Sequence, residues 1–543
     1  MRAAAGLLAV AAVLAAGLAK PTVAAAGEAP QRAAAKVTRS EAIAIASRDA
    51  NVRKERAMHR ELSPTAHWVD GHWEVAWFAE GKELALVLID PRSGEVTESW
   101  TGYQVAWKMA RGYSGQFGHK LDAPYVFVPL CAIFLVGLVD WRRWRRMVNL
   151  DLLVLLGFGV SHFFFNRGEI GVSVPLQYPV LAYLLARALW IGFRGRGEGL
   201  RPRWPTAWLL VAALFLMGFR VGLNVADSGT ADIGYASIVG ADRVAHGEPV
   251  YGNFPAEISQ GDTYGPATYL AYVPFERIWP WSGRWDDVDG AHAAAIGFDI
   301  ATFALLILLG LRIRPGPAGR RLAATLAFGW AAYPYTAFAL EANSNDGLVA
   351  MLLVAILVWL SRPAARGALT SLATFAKFAP AVLAPMLLTY RPRGEGGSLV
   401  RAPLLFAAAF ATATVAVMLW PALDPGLKVF WERTVGFQAG RSSPFSIWGQ
   451  VPSLEWLRTA LLAATAVLAV GLAFVPRRKS LTQVAALGAA LLLAVQITMH
   501  HWFYLYIPWF YPLLLVALAT VAVSREPEPG PSPARSSRPA LVG

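Results

Sequence analysis

The sequence predicts a polytopic α-helical membrane protein with one small α+β domain near its N-terminus. Three observations lead there. Apolar residues occupy 56% of the 543 positions and charged residues only 16%, against the roughly one quarter charged in soluble domains. Apolar runs of bilayer-crossing length recur from residue 123 to residue 523. The basic residues behind the net charge of +13 sit in clusters beside those runs, where they fix orientation instead of coating a nucleic-acid groove. A nucleic-acid partner is therefore not expected.

In chain order, "MRAAAGLLAVAAVLAAGLAKPTVAAAGEAP" joins Arg2 to an alanine and leucine core with small residues at Ala24 and Ala26. That pattern predicts a signal peptide over residues 1–26 and places the start of the mature chain outside the cytoplasm. Residues 37–105 differ from the rest. "TRSEAIAIASRDA" offers Thr38 as a helix cap, and "HWEVAWFAEGKELALVLIDPRSGEVTESW" reads as strands joined by turns at 80–82 and 91–94. The helix, then "WEVAWF", then "LVLIDPRSGEV" resembles the PepSY family of extracytoplasmic modules, and a binding or inhibitory role is what that resemblance implies. A small domain packed on the membrane part, without its own activity, fits the same residues.

A helix needs about 20 apolar residues to cross a bilayer core. Candidate crossings fall at 123–140, 149–165, 172–192, 206–223, 290–311, 322–340, 346–361, 402–421, 456–475, 481–499 and 502–523, about eleven in all. Starting outside, the odd-numbered crossings end in "WRRWRRM", "FRGRGEGLRPRWP", "RIRPGPAGRR", "SRPAAR" and "VPRRKS". Every basic cluster then falls on the cytoplasmic side, and the long segments 224–289 and 422–455 fall outside. The run "GALTSLATFAKFAPAVLAPMLLTYRPR" has basic residues at both ends, so a single crossing would break the rule. It is read as re-entrant, with two half-helices meeting near Lys377 to Pro380, although Lys377 itself is assigned to charge balance near the cytoplasmic half. Residues 524–543, polar and proline-rich, read as a disordered cytoplasmic tail. Cys131, the one cysteine, lies in an apolar run and allows no internal disulfide or thiolate metal site.

Polar groups beside a bilayer are costly unless protein or water meets them, so those at the outer ends of the crossings are the chemical candidates. In 224–289, Thr230 is placed as the cap of a short helix whose first turn carries Asp232, with Ile233, Ala236, Ile238 and Val239 as its apolar face. Two jobs fit that carboxylate: completing the helix dipole, worth about 0.3–1 kcal/mol, or acting as a general base. Residue pattern by itself favours the first. Asp227 is a second candidate base. Asp286, Asp287 and Asp289 are read as caps of the next crossing; Asn343, Asn345 and Asp346 either cap theirs or touch substrate, and capping is the default. Asp262 either binds hydroxyls or makes a turn. Arg433 and Arg441 either hold a phosphate or face solvent. His500 and His501 either do the same or join Trp502, Tyr504 and Trp509 in an interfacial aromatic belt. No metal site is expected, because the adjacent histidines point to different sides and lack helical ligand spacing.

"DIGYASIVGADRVAHGEPVYG", then "GDTYGPATYLAYVPFERIWPW", then a crossing helix, resembles the first outer loop of membrane glycosyltransferases of the GT-C fold, most nearly glycosyltransferase family 87. Asp232, Tyr235, Gly247, Pro249, Tyr251, Tyr264 and Pro266 carry the likeness. It continues through "EANSNDG" and "KFAPAVLAPMLL" and spans 206–523. The resemblance implies an inverting transferase that takes a hexose or pentose from a polyprenyl-phosphate donor, with the loop aspartate, Asp232, as base. Tyr235, Asp262 and Tyr264 would then shape the sugar pocket, while Arg441, His500 and His501 would hold the phosphate. The lipid-linked sugar is a substrate, so no cofactor is implied. The extra crossings at 123–192 and the soluble module depart from the pattern and leave the acceptor, a glycan or a lipid, open. A transporter or lipid flippase, and a non-catalytic sensor built around the module, are the rival classes.

Overall fold

The computed structural model describes residues 36–521 except 60, 80, 196–198, 286–287, 393–399 and 442. The expected signal peptide and tail, Glu80 of the first turn, Asp286, Asp287 and Arg393 lie outside the described residues. The chain divides into two units, Met1–Arg111 and Gly112–Gly543.

In the first unit, helix α1 (Arg39–Ala46) starts at Thr38, whose hydroxyl accepts from the Glu41 N–H. The Glu41 carboxylate accepts in return from the Thr38 N–H at 2.8 Å, completing a capping box. Asp49 caps α2 (Ala50–Met58) and also accepts from the Ser99 hydroxyl at 2.6 Å, which ties the helix to the sheet. Strands β1 (Ser63–Val69), β2 (His72–Ala79), β3 (Lys82–Ile89) and β4 (Val96–Thr101) form an antiparallel meander in chain order. Alternation sends Trp73, Val75 and Trp77 of β2 and Ala85, Val87 and Ile89 of β3 into one core with Ala42, Ala46 and Val52 of the helices. At the β3–β4 turn, Asp90 Oδ1 accepts from the Arg92 and Ser93 N–H groups, and Gly94 takes a φ of +74° that suits glycine. Residue pattern does not mark β1, because Pro64 lies in it; it is an edge strand, where proline is tolerated.

The second unit is helical. Among the described residues, seven helices are long and apolar enough to cross a membrane. They are α4 (Met147–Phe165), α5 (Ile170–Arg194), α6 (Thr206–Asp227), α9 (Asp289–Ile313), α15 (Arg401–Gly440), which is broken by non-helical backbone at Asp424, α16 (Pro452–Phe474) and α17 (Leu481–Thr498). Shorter apolar helices are α3 (Pro124–Leu138), α12 (Asp346–Val358), α14 (Ala379–Leu388) and α18 (Tyr504–Thr520). The run expected as one crossing at 322–340 is two helices, α10 (Gly316–Ala332) and α11 (Pro334–Glu341). Pro334 lacks an N–H and pushes Tyr333 into extended backbone. Two short helices, α7 (Asp232–His246) and α8 (Pro266–Glu276), lie between α6 and α9.

Hydrogen bonds between connecting segments sort the unit into two ends. At one, Arg146 donates to Gly199 O at 3.0 Å, Arg203 pairs with Asp140 at 2.6 Å, Arg321 bonds Pro202 O, and Leu200 N meets Leu518 O at 2.8 Å. Lys479 N reaches Arg391 O there as well. At the other, Lys120 pairs with Asp227 at 3.1 Å, Ala231 N meets Ala342 O at 2.9 Å, and Gln450 bonds Ile170 O at 3.0 Å. The basic runs thus gather at one end and the long polar segments at the other.

Helix α13 (Pro363–Ala376) stops where Lys377 turns extended. Its 14 residues span about 21 Å at 1.5 Å per residue, short of a roughly 30 Å bilayer core. The chain then returns through α14, and the Arg366 guanidinium lies 5.1 Å from the centre of the Tyr390 ring. Both ends of the segment therefore stand side by side, with Lys377 at the turn. Two ion pairs lie inside the helix array, Arg187 with Asp151 at 2.9 Å and Arg220 with Asp299 at 2.9 Å, as a low-dielectric interior favours.

Candidate active site

Helix α7 begins at Asp232, and its N-terminus is pressed against the connection between α11 and α12. A Cβ at Gly234 would stand 2.2 Å from Asn343 O, so only glycine allows the approach. Asn343 Nδ2 donates to Ser228 Oγ at 3.0 Å and Gly229 O at 2.9 Å, while Asn345 Nδ2 donates to Ser237 Oγ at 2.9 Å. The asparagines expected as caps of α12 instead clamp residues 228–237. Thr230 does not cap α7 either: Ala231 holds that position with no side-chain bond, and Thr230 Oγ1 lies 3.2 Å from His292 Nε2.

The Asp232 side chain is exposed even though protein crowds it at longer range, with Arg441, Lys377 and Asp346 all within electrostatic reach. It lines a recess. Crowding by protein raises its carboxyl above the ordinary range; the Ile233 N–H, Arg441 and Lys377 oppose that rise, and Asp346 adds to it.

Lys377 is the chief correction to the sequence reading. Charge balance is indeed its part, since its ammonium donates to Asp346 Oδ1, but it does so at the start of α12 and not near the expected cytoplasmic half. Trp509 Nε1 donates to the same oxygen at 2.8 Å, and the rings of Tyr264, Tyr506 and Trp509 stand 5.3, 5.4 and 5.3 Å from Nζ. Such a cage stabilises a cation by its quadrupoles. Tyr264 is delivered to it by close backbone contact. A Cβ at Gly265 would fall 2.0 Å from Phe375 O, and Thr268 Oγ1 donates to Ala376 O at 2.8 Å. Asp346, expected as a cap, makes no capping bond to α12 and is fully buried. Arg441 closes the group from the end of α15, within electrostatic reach of Tyr506 and His501 as well as Asp232. His501 bonds Ser443 Oγ through Nδ1 at 2.9 Å. Crowding, then Arg441 and Lys377, hold its imidazole well below the usual value, so it is neutral near pH 7.

Other expected residues are engaged elsewhere. Asp262 is fully buried and takes both arms of Arg433, at 2.6 and 2.7 Å, together with the Gly252 N–H at 2.6 Å. The pair locks the segment before α8 to α15, which corrects the reading of Arg433 as a phosphate cation. Tyr235 stacks on Trp285 at 4.1 Å and donates to Glu257 at 3.4 Å. His500 meets Glu455 at 3.0 Å. Trp502, Tyr504 and Trp509 are 1%, 0% and 2% exposed, so they are core and not a belt; the Tyr504 hydroxyl bonds Ser161 at 2.6 Å. Among the described residues there is no cluster of three metal-binding side chains.

Asp232, Tyr264, Asp346, Lys377, Arg441, His501, Tyr506 and Trp509 thus come from six separate stretches of chain to one place. An exposed carboxylate thus has two cations within electrostatic reach, a combination suited to taking a proton at one group while stabilising departing negative charge at another. Sequence reasoning missed Tyr506 and gave Asp346, Lys377 and Trp509 other roles, as cap, charge balance and interfacial belt, although an ammonium within apolar helix is itself a signal of a partner. No protein-family model matches the chain, and no curated protein matches it significantly.

Proposed function

We propose that the chain is an integral membrane glycosyltransferase of GT-C type, with eleven crossings and one re-entrant hairpin. It transfers a sugar from a polyprenyl-phosphate donor to an extracytoplasmic glycan or lipid acceptor. The observation that carries this reading is the exposed carboxylate of Asp232 with Arg441 and the Lys377–Asp346 pair within electrostatic reach. Asp232 takes the proton of the acceptor hydroxyl as that oxygen attacks the anomeric carbon. The bond from that carbon to the phosphate oxygen breaks, and the leaving phosphate gains the negative charge that Arg441 stabilises, while Lys377, matched by Asp346, holds the wall of the site. Attack from the face opposite the phosphate inverts the centre. Neutral His501 serves the phosphate as a hydrogen-bond partner, not as a charge.

Sidedness is assigned by the positive-inside rule. The end holding Arg146, Arg203, Arg321 and Lys479 faces the cytoplasm, and the Asp232 recess faces outward, where lipid-linked sugars replace nucleotide sugars. The buried Arg220 and Asp299 pair in the helix array favours a carrier as the second reading, since intramembrane charges also line transport paths.

The test uses the full chain in lipid nanodiscs with radiolabelled polyprenyl-phosphate sugars and a photoreactive donor analogue. A transferase should move label to acceptor and give crosslinks at 437–441 and 499–506. Movement of intact lipid-linked sugar across sealed vesicles, without loss of the sugar from its phosphate, would instead establish the carrier.

A further inference from the structure

A hollow open to one side, of about 320 Å³, is lined by Tyr113, Ser114, His119, Lys120, Tyr125 and Asp227, within the size range of small-ligand sites. Its walls are built and held. Gly112 is so close to Gly168 that a Cβ would stand 2.0 Å from its nitrogen, Asn166 bonds Asp122 at 3.2 Å, and the Phe117 ring packs edge-on against Phe503 at 5.0 Å. Asp227 grips Lys120 twice, through its backbone N–H and its ammonium, each at 3.1 Å. Tyr113 and Tyr125 border this frame with 61% and 72% of their surface exposed.

The lining selects a class of ligand. It holds no leucine, isoleucine or valine, so it does not suit a lipid tail. Lys120 is already matched by Asp227, so the hollow has no surplus positive charge for a phosphate or a nucleotide. What it offers is two open aromatic faces with donors and acceptors between them, the chemistry that binds the C–H faces and hydroxyls of a neutral saccharide. Its position adds to this. Asp227 is five residues from Asp232, so the two are no more than roughly 18 Å apart along extended chain. The intervening stretch is the one Asn343 clamps.

We infer that this cavity is an acceptor subsite, which holds a neutral oligosaccharide by Tyr113, Tyr125, Lys120 and Asp227 so that its end reaches the Asp232 recess. The inference rests on the transferase reading for its purpose, though not for the binding itself.

Saturation-transfer NMR on the full chain in nanodiscs tests it, with short linear neutral oligosaccharides of mannose, glucose and arabinose as probes. At least one series should bind the unaltered protein. Tyr113→Ala and Tyr125→Ala should each weaken that binding by up to roughly tenfold, and Tyr125→Phe, which keeps the ring, by much less. Absence of binding by every probe, equal binding in the alanine variants, or displacement by inorganic phosphate would each overturn the subsite. Binding as expected, alongside no transfer from any polyprenyl-phosphate sugar in a parallel assay, supports the subsite and removes the transferase instead.

Discussion

Lys377 donates to Asp346 Oδ1, and so joins the turn of the α13–α14 hairpin to the first residue of α12. Trp509 Nε1 bonds the same oxygen at 2.8 Å, which brings α18 to the same point. One carboxylate oxygen therefore ties together three parts of the helix array.

Removing the ammonium alone leaves a buried carboxylate without its counter-charge. Lys377→Met is expected to destabilise the fold by about 3–5 kcal/mol, read as a fall in melting temperature in detergent. The double variant Lys377→Met with Asp346→Leu should recover most of that stability and still fail to transfer sugar. Transfer restored along with stability would reduce the pair to a structural role.

The pH dependence of transfer carries a sign. A base must be deprotonated to act, and crowding holds Asp232 above the ordinary carboxylate range, so the acid limb of kcat/KM should lie above that range. Arg441 favours the charged form of Asp232. Arg441→Gln should therefore move the limb to still higher pH, besides lowering the rate. A limb unmoved by that substitution would separate Arg441 from Asp232.

Arg433 is expected to matter for stability and only indirectly for chemistry. Arg433→Ala strands the buried Asp262, at a cost toward the lower end of about 3–5 kcal/mol because the guanidinium is partly exposed. Arg433→Lys keeps the charge without the two-armed geometry and should recover part of the loss. Thermal unfolding of the purified variants measures both.

In the first unit, Thr38→Ala removes the cap of α1 and should cost that unit about 1 kcal/mol. Hydrogen exchange across residues 38–58 should rise, with sugar transfer unchanged.

Much of the helix array was legible because its determinants are local. Apolar length marks α5, α6 and α9, clustered arginines mark which connections share an end, and Lys377 with Pro380 marks the break between half-helices. The site was legible only in part. Nothing local tells how deep Lys377 lies or that Asp346 waits there, since that pairing is set by how two helices pack. Asp262 and Arg433 read separately as a turn residue and a loop cation; only tertiary contact joins them. Trp502, Tyr504 and Trp509 have the composition of an interfacial belt or of an aromatic core, and their burial decides for the core.

The most direct measurement compares transfer of radiolabelled sugar from polyprenyl phosphate in membranes holding equal amounts of unaltered protein, Asp232→Asn and Asp227→Asn. If Asp232 is the base, Asp232→Asn should lose at least roughly a hundredfold, on the order expected when a general base is removed, with much smaller loss for Asp227→Asn. Full turnover by Asp232→Asn would contradict that role and the transferase mechanism built on it.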